Sequence, residues 1–295
     1  MSPASSTARD IDAAALARGA ARMARAEPPW LHGEVARRMA ERLPIVRTQP
    51  ARICDWWARA GGSAALLRAA YPRAEVVAVE REAGAAAAGK AAWWSAARWR
   101  VPVAATAEDA VGAGSAQLVW ANMMLHHAPD PGAVFARWHA ALSVEGFLMF
   151  STLGPDTLKS LREIYRAAGW GSPHAAFTDM HDLGDMLGAA GFAEPVMDQE
   201  TLRLTWATPE AALAELRGLG GNADAARFAG LRTPRWRARL ARALAERAST
   251  DGRIGLEFEI VYGHAFKPAP RVAGETRVAA DDLQRMARAS RRGRL

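Results

Sequence analysis

The chain has 295 residues, half of them hydrophobic and 23% charged, enough for one elaborated domain or two and too apolar for a disordered body. Its formal charge of +7 invites a nucleic-acid partner, but the last eleven residues carry five arginines and no acid, leaving only two of those charges for the rest. A single cysteine, Cys54, excludes intrachain disulfides and cysteine-rich metal centres, and no run reaches the roughly 18 apolar residues of a membrane span.

Residues 1–10 read as disordered, and Ile11 to Arg25 as an alanine-rich helix. The first thirty residues alternate Ala with Arg and lack a continuous apolar core, so they predict no secretory signal and a cytoplasmic protein. Pro28 and Pro29 break the pattern. Leu31, Val35, Met39 and Leu43 then recur every four residues on one face of a second helix. Both helices are expected to pack on a face of the sheet that follows, since amphipathic stripes usually face a core.

Ala51 to Glu82 has the order strand, turn, helix, strand, acid: ARICDWW, then SAALLRAAY, then EVVAVE ending on Glu80. In doubly wound folds the first turn of such a unit lies at the carboxyl edge of the sheet, where nucleotide-like ligands bind, and an acid ending the second strand takes the ribose hydroxyls. Cys54, inside the first strand, reads as a small buried hydrophobe. The first turn departs from a glycine-rich one: it runs Asp55-Trp56-Trp57-Ala58-Arg59-Ala60-Gly61-Gly62, with a single glycine position kept. At strand spacing, Trp56 and Trp57 are expected to fill opposite sheet faces.

A helix over Ala83 to Ala97 and a strand near Arg100 to Ala105 follow. SAQLVWANMM, Ser115 to Met124, is nearly continuous apolar sequence, as in a central parallel strand, and Asn122 interrupts it at the carboxyl end. Pro131 opens a helix with Val134, Phe135, Trp138 and Leu142 on its buried face, and Phe147 to Leu153 is a fifth strand. The second half reads as helices over Asp156 to Ala168 and Met180 to Ala190, a strand over Val196 to Trp206, helices over Pro209 to Leu219 and Pro234 to Ala248, and a strand in Ile254 to Lys267. Strands alternating with helices predict an α/β, doubly wound architecture with a mainly parallel sheet. His181 with Asp182 and Asp185 reads as a helix start rather than a metal site.

Assembled, these segments resemble a class I S-adenosylmethionine-dependent methyltransferase, with Asp55 and Gly61 on the first motif, Glu80 on the second and WANMMLHHAPDP after strand four. GFLMFSTLGPDTLKSLRE, FTDMHDLGDMLGAAGFAEPVMDQETLRLTW and FEIVYGHAFKP are similar, more closely, to the malonyl-acyl-carrier-protein O-methyltransferases of biotin synthesis. The likeness covers roughly residues 11–268. It implies N-terminal helices over 1–48, a Rossmann-like body over 49–268 with a helical cover at about 154–178 and 208–250, and a basic, disordered tail over 269–295.

It further implies methylation of the free carboxylate of a malonyl thioester on an acyl-carrier protein, with S-adenosylmethionine as cofactor. No nucleic acid, membrane or metal takes part. Asp55, Gly61, Glu80, Thr106 and Asn122 become the cofactor contacts, Thr106 standing where the family usually has the acid that holds the adenine amino group. A carboxylate with a reference pKa near that of Asp, about 3.9, is already ionised at neutral pH, so no catalytic acid or base is expected. His126 is a candidate pocket residue and Arg203, with Arg227 and Arg232, a candidate cation for the substrate carboxylate. Arg235, Arg237, Arg239 and Arg242 form either a steering face for an acidic carrier or a solvated helix face.

The same residues leave a second reading open. Trp57 and Arg59 in place of two glycines are also what a catalytically silent relative would carry, one that no longer binds the cofactor and acts by partner binding. A nucleic-acid methyltransferase lacks support, because Asn122-Met123-Met124-Leu125 is not Asn-Pro-Pro-Tyr. A short-chain oxidoreductase is excluded, since none of Tyr71, Tyr165 or Tyr262 begins Tyr-x-x-x-Lys.

Overall fold

The computed structural model describes residues 8–23, 26–81 and 105–270. The helix expected over 83–97, most of the strand expected near 100–105 and the tail beyond 270 lie outside them.

Seven strands form one sheet in the order β3-β2-β1-β4-β5-β7-β6. They are β1 (Arg52–Trp56), β2 (Glu75–Glu80), β3 (Ala105–Ala107), β4 (Ala116–Ala121), β5 (Leu142–Leu153), β6 (Ala193–Trp206) and β7 (Ile254–Phe266). β1 to β5 pair in parallel, while β7 runs antiparallel to both β5 and β6. Valine and leucine fill β2 and β4 because a parallel strand is covered on both faces. The alternating side chains of β6 suit an edge strand with one wet face, and eight of its fourteen positions from Ala193 to Trp206 are exposed.

Nine helices flank the sheet among the described residues: α1 (Ala13–Met23), α2 (Trp30–Ala40), α3 (Ala58–Gly61), α4 (Ala64–Ala70), α5 (Pro131–Ala141), α6 (Lys159–Ala167), α7 (Met180–Ala189), α8 (Pro209–Gly218) and α9 (Pro234–Ala245). Five of them start on a side-chain cap. Asp12, Asp130, Asp179, Thr208 and Thr233 each accept a backbone N–H of the first turn, and Pro follows three of these caps at the first helical position. Asp179 takes the His181 N–H, so that stretch is a capped helix start.

The core has two halves, one on each sheet face. On one, Leu31, Val35 and Met39 of α2 pack with Ile53, Trp120 and Phe147, as their four-residue spacing predicts. On the other, Trp56, Phe135, Trp138 and Phe150 form a cluster of edge-on rings with centroids 5.4–6.4 Å apart. Full burial of each such side chain stabilises the fold by about 1.5–3 kcal/mol.

The two N-terminal helices, both expected to pack on the sheet, differ in placement. α2 packs on the sheet, whereas Leu16 and Arg22 of α1 line a cavity. Arg9, in a stretch expected to be disordered, is tied down: its guanidinium donates to the carbonyls of His126, Ala128 and Ala176. A sequence reading misses this because the tie is made by one arginine to backbone oxygens rather than by apolar periodicity.

β7 lies between β5 and the edge strand β6, and at its Gly263 a Cβ would stand 2.1 Å from the ring of the fully buried Phe150. Gly263→Ala is therefore expected to destabilise the protein by about 1–3 kcal/mol, the usual cost of overpacking. A urea unfolding curve with an unchanged midpoint would show that this ring can move aside.

Candidate active site

The carboxyl ends of β1, β2 and β4 meet at one edge of the sheet. β1 pairs with β2 from Arg52↔Glu75 to Trp56↔Val79 and with β4 at Asp55↔Trp120, which brings Asp55, Glu80 and Asn122 to neighbouring strand ends. This is the topological switch point of the sheet, where a doubly wound fold opens a crevice.

Asn122 is the hub of that edge. Its amide donates to the carbonyls of Gly61 at 2.7 Å and His32 at 2.8 Å, and its oxygen accepts the Ser151 hydroxyl at 2.8 Å. The Ser151 oxygen in turn accepts the Met123 N–H at 3.0 Å. All of these atoms are buried, so the network fixes the first turn, α2, β4 and β5 in one arrangement. Gly61 must stay small, because a Cβ there would stand 3.3 Å from the Asn122 carbonyl.

Asp55 is buried, and neither of its carboxylate oxygens has a hydrogen-bond partner among the described residues. Burial, and then the neighbouring Glu80 carboxylate, push its pKa up to about 8. Glu80 is also raised, chiefly by burial, although it accepts the Arg59 N–H at 3.0 Å. Asp55 is thus a buried acid without a hydrogen-bonded cation among the described residues.

Because the native pKa of Asp55 lies above its ordinary 3.8, the native state holds a proton that the unfolded state has released between those values. The protection is complete below about pH 4 and is lost as pH rises toward 8, at up to about 1.4 kcal/mol per pH unit. Asp55→Asn is expected to flatten that slope and to raise stability at pH 8. Parallel urea midpoints against pH for the two proteins would contradict it.

Trp57 corrects the expectation that the paired tryptophans face opposite sides of the sheet. It leaves the strand in the left-handed conformation, φ 53°, which costs a bulky residue about 1–2 kcal/mol. Both indoles then join the same core half, and both donate their N–H to Glu108 after β3. The Arg81 guanidinium covers the Trp57 ring at 3.8 Å. The turn keeps a glycine's backbone shape without the glycine. Thr106 lies on β3, paired with Val79 and only partly buried.

A cavity of about 360 Å³ opens beneath the second half of the chain. His126 and His127, in the turn after β4, line it together with Leu153, Phe258 and Leu161 of α6. Phe177, Leu213 and Leu216 of α8, and Ile11 and Leu16 complete an apolar wall. The two imidazoles lie 4.2 Å apart, and Phe177 meets His126 edge-on and stacks on His174 at 4.6 Å. Burial holds both histidines far down, His127 at about 3, with Arg9 and the neighbouring imidazole adding to the effect. They are neutral at pH 7. Arg22 and Arg217 are the cavity's cations; Arg22 donates to the Gly220 carbonyl, and Arg217 has no carboxylate partner among the described residues.

Arg203 does not line this cavity. It sits on β6 opposite Glu257 of β7, its guanidinium 3.9 Å from that carboxylate and packed over Gly255, so the edge ribbon keeps it from the site assigned to it by sequence. Arg227 pairs with Asp12 and Arg232 donates to the Trp170 carbonyl. Arg22 and Arg217 went unnoticed because the cavity is assembled from segments 11–22, 126–177, 213–223 and 258, and no local pattern marks them. Among the described residues no group of three His, Cys, Asp or Glu could hold a metal ion.

The sheet order and the acids at the ends of β1 and β2 are those that the resemblance to a methyltransferase implies. A family model described as Methyltransferase domain matches residues 30–194, and the chain belongs to that family. The fold is shared with the YcgJ protein of Bacillus subtilis at a TM-score of 0.53 and 11% identity, over 78% of this chain and 98% of that one. Within the family the chain belongs to the malonyl-[acyl-carrier protein] O-methyltransferases. It is 40% identical to the one from Gallionella capsiferriformans over 82% of this chain and 86% of the relative. To the one from Laribacter hongkongensis it is 38% identical, over 82% and 84%.

Proposed function

We propose that this chain transfers a methyl group from S-adenosylmethionine to the free carboxylate of a malonyl thioester borne on an acyl-carrier protein, a capping step in biotin synthesis. The observation that carries the reading is the pairing of a cofactor edge with a largely apolar cavity, its only lining charges among the described residues being Arg22 and Arg217, reached from the turn that follows Asn122. The curated relatives of the same name support the substrate class.

The residues at the edge fit the cofactor. A buried carboxyl with two unpartnered oxygens suits its ammonium, and Glu80 suits the ribose hydroxyls. Asp55, Gly61, Glu80, Thr106 and Asn122 are the residues that would hold it. When bound, the cofactor supplies an electrophilic methyl on a sulfonium. The free carboxylate of the malonyl thioester, ionised at neutral pH, would be the acceptor of that methyl without help from a general base.

The chain's part is therefore positioning and exclusion of water. His126, buried, and His127, half-buried, both neutral in the turn after β4, can hydrogen-bond an ester-forming carboxylate without fixing it as a tight ion pair. A full countercharge in contact would lower its nucleophilicity. Arg9 lies behind the imidazoles, spent on backbone carbonyls, and contributes field rather than contact.

Intact mass of malonyl-carrier protein after incubation with the chain and S-adenosylmethionine tests this. The expected product is heavier by one methylene. A carrier of unchanged mass alongside demonstrable cofactor binding would overturn the substrate assignment.

A further inference from the structure

One side of α9 is a cationic face whose charges the protein leaves without acidic partners. Arg235, Arg239 and Arg242 lie at i, i+4 and i+7, which places them on one side of the helix, while Leu240 and Leu244 are buried on the other. All three arginines are exposed, and among the described residues none has an ion pair or a hydrogen-bonded carboxylate. Arg239 instead lies over the Trp170 ring at 5.3 Å. A solvated helix face of ordinary composition would intersperse acids with these cations.

The face also has a floor. An open groove of about 440 Å³ runs between α6 and α9, with Ile164, Ala167, Trp170 and Ala243 beneath and Arg239 and Arg242 on its rim. Arg247, further along, is engaged by Glu163 at 2.8 Å, and Glu246 is the groove's one lining acid. Apolar floor with cationic rim is the complement of an amphipathic acidic helix. Leu161 and Tyr165, on the adjacent side of α6, line the cavity, so groove and cavity flank the same helix.

We infer that the groove between α6 and α9 is the docking site for an acidic helix of the carrier protein, with Arg235, Arg239 and Arg242 as its electrostatic clamp. This rests on the proposed function for the identity of the partner. Docking there holds the carrier against the helix that also lines the cavity for its thioester end. The association is fast and salt-sensitive, as for any pair steered by complementary charge.

The test is fluorescence anisotropy of labelled acyl-carrier protein titrated with the full chain, wild type against the triple variant Arg235→Glu, Arg239→Glu, Arg242→Glu, at low and at high salt. Methyl transfer is measured in parallel with malonyl-carrier protein and with malonyl-coenzyme A, which lacks the carrier. The variant should bind the carrier at least about tenfold more weakly, equivalent to about 1.4 kcal/mol. Its kcat/KM should fall by a similar factor for the carrier-borne thioester and stay within about twofold for the coenzyme A thioester. The corresponding triple lysine variant keeps the charge and should bind the carrier.

Carrier binding undiminished in the charge-reversed variant would overturn the inference. So would equal losses on both thioesters, which would mark a folding defect. Absence of methyl transfer by the wild type to either thioester would instead count against the proposed reaction, and the anisotropy comparison would still decide the surface.

Discussion

Glu80→Gln is expected to weaken S-adenosylmethionine binding by about 1.5–3 kcal/mol, roughly 10- to 150-fold, the range for hydrogen bonds to a charged group. The carboxylate ends β2 beside the first turn, buried, with one oxygen accepting the Arg59 N–H. Gln is close to isosteric and still offers that oxygen, so the turn should keep its shape while the paired acceptors for two hydroxyls are lost. A second consequence follows from charge. Glu80 is one cause of the raised Asp55 pKa, so its neutralisation should bring Asp55 down and ionise it more fully near neutral pH. Equal affinities of wild type and variant by calorimetry would remove Glu80 from the cofactor site.

Asn122→Leu should be the most damaging single change to the folded state. It leaves the carbonyls of His32 and Gly61 and the Ser151 hydroxyl without their shared partner, all three buried. An orphaned buried polar group costs about 1–3 kcal/mol. A combined loss of about 3–5 kcal/mol is expected, in the range reserved for broken buried networks. The hub joins α2, the first turn, β4 and β5, so the loss should also loosen the edge that holds the cofactor. Chemical denaturation measures it; a shift below about 1 kcal/mol would mean that water replaces the amide.

Much of the fold was legible because the sheet strands announce themselves. ARICDWW, EVVAVE and SAQLVWANMM are short apolar runs bounded by turns, and they became β1, β2 and β4 with Asp55, Glu80 and Asn122 at their carboxyl ends. The four-residue spacing of Leu31, Val35 and Met39 likewise located α2 and its buried face. The cavity was hidden because its lining comes from distant segments, which leave no periodic trace. The sequence points to Arg203, Arg227 and Arg232 and passes over Arg22 and Arg217 for the same reason: a cation's partner is a matter of tertiary position. The left-handed Trp57 was also beyond reach of sequence, since propensity assigns that backbone to glycine and the compensating contacts to Glu108 and Arg81 are long-range.

Calorimetric titration of the chain with S-adenosylhomocysteine at pH 7, in two buffers of different ionisation enthalpy, tests the cofactor edge most directly. Asp55, protonated when alone because its pKa is raised to about 8, must give up its proton to face the ligand's ammonium. The account predicts saturable binding with an observed heat that differs between the buffers in proportion to one released proton. Absence of binding at millimolar ligand would contradict it.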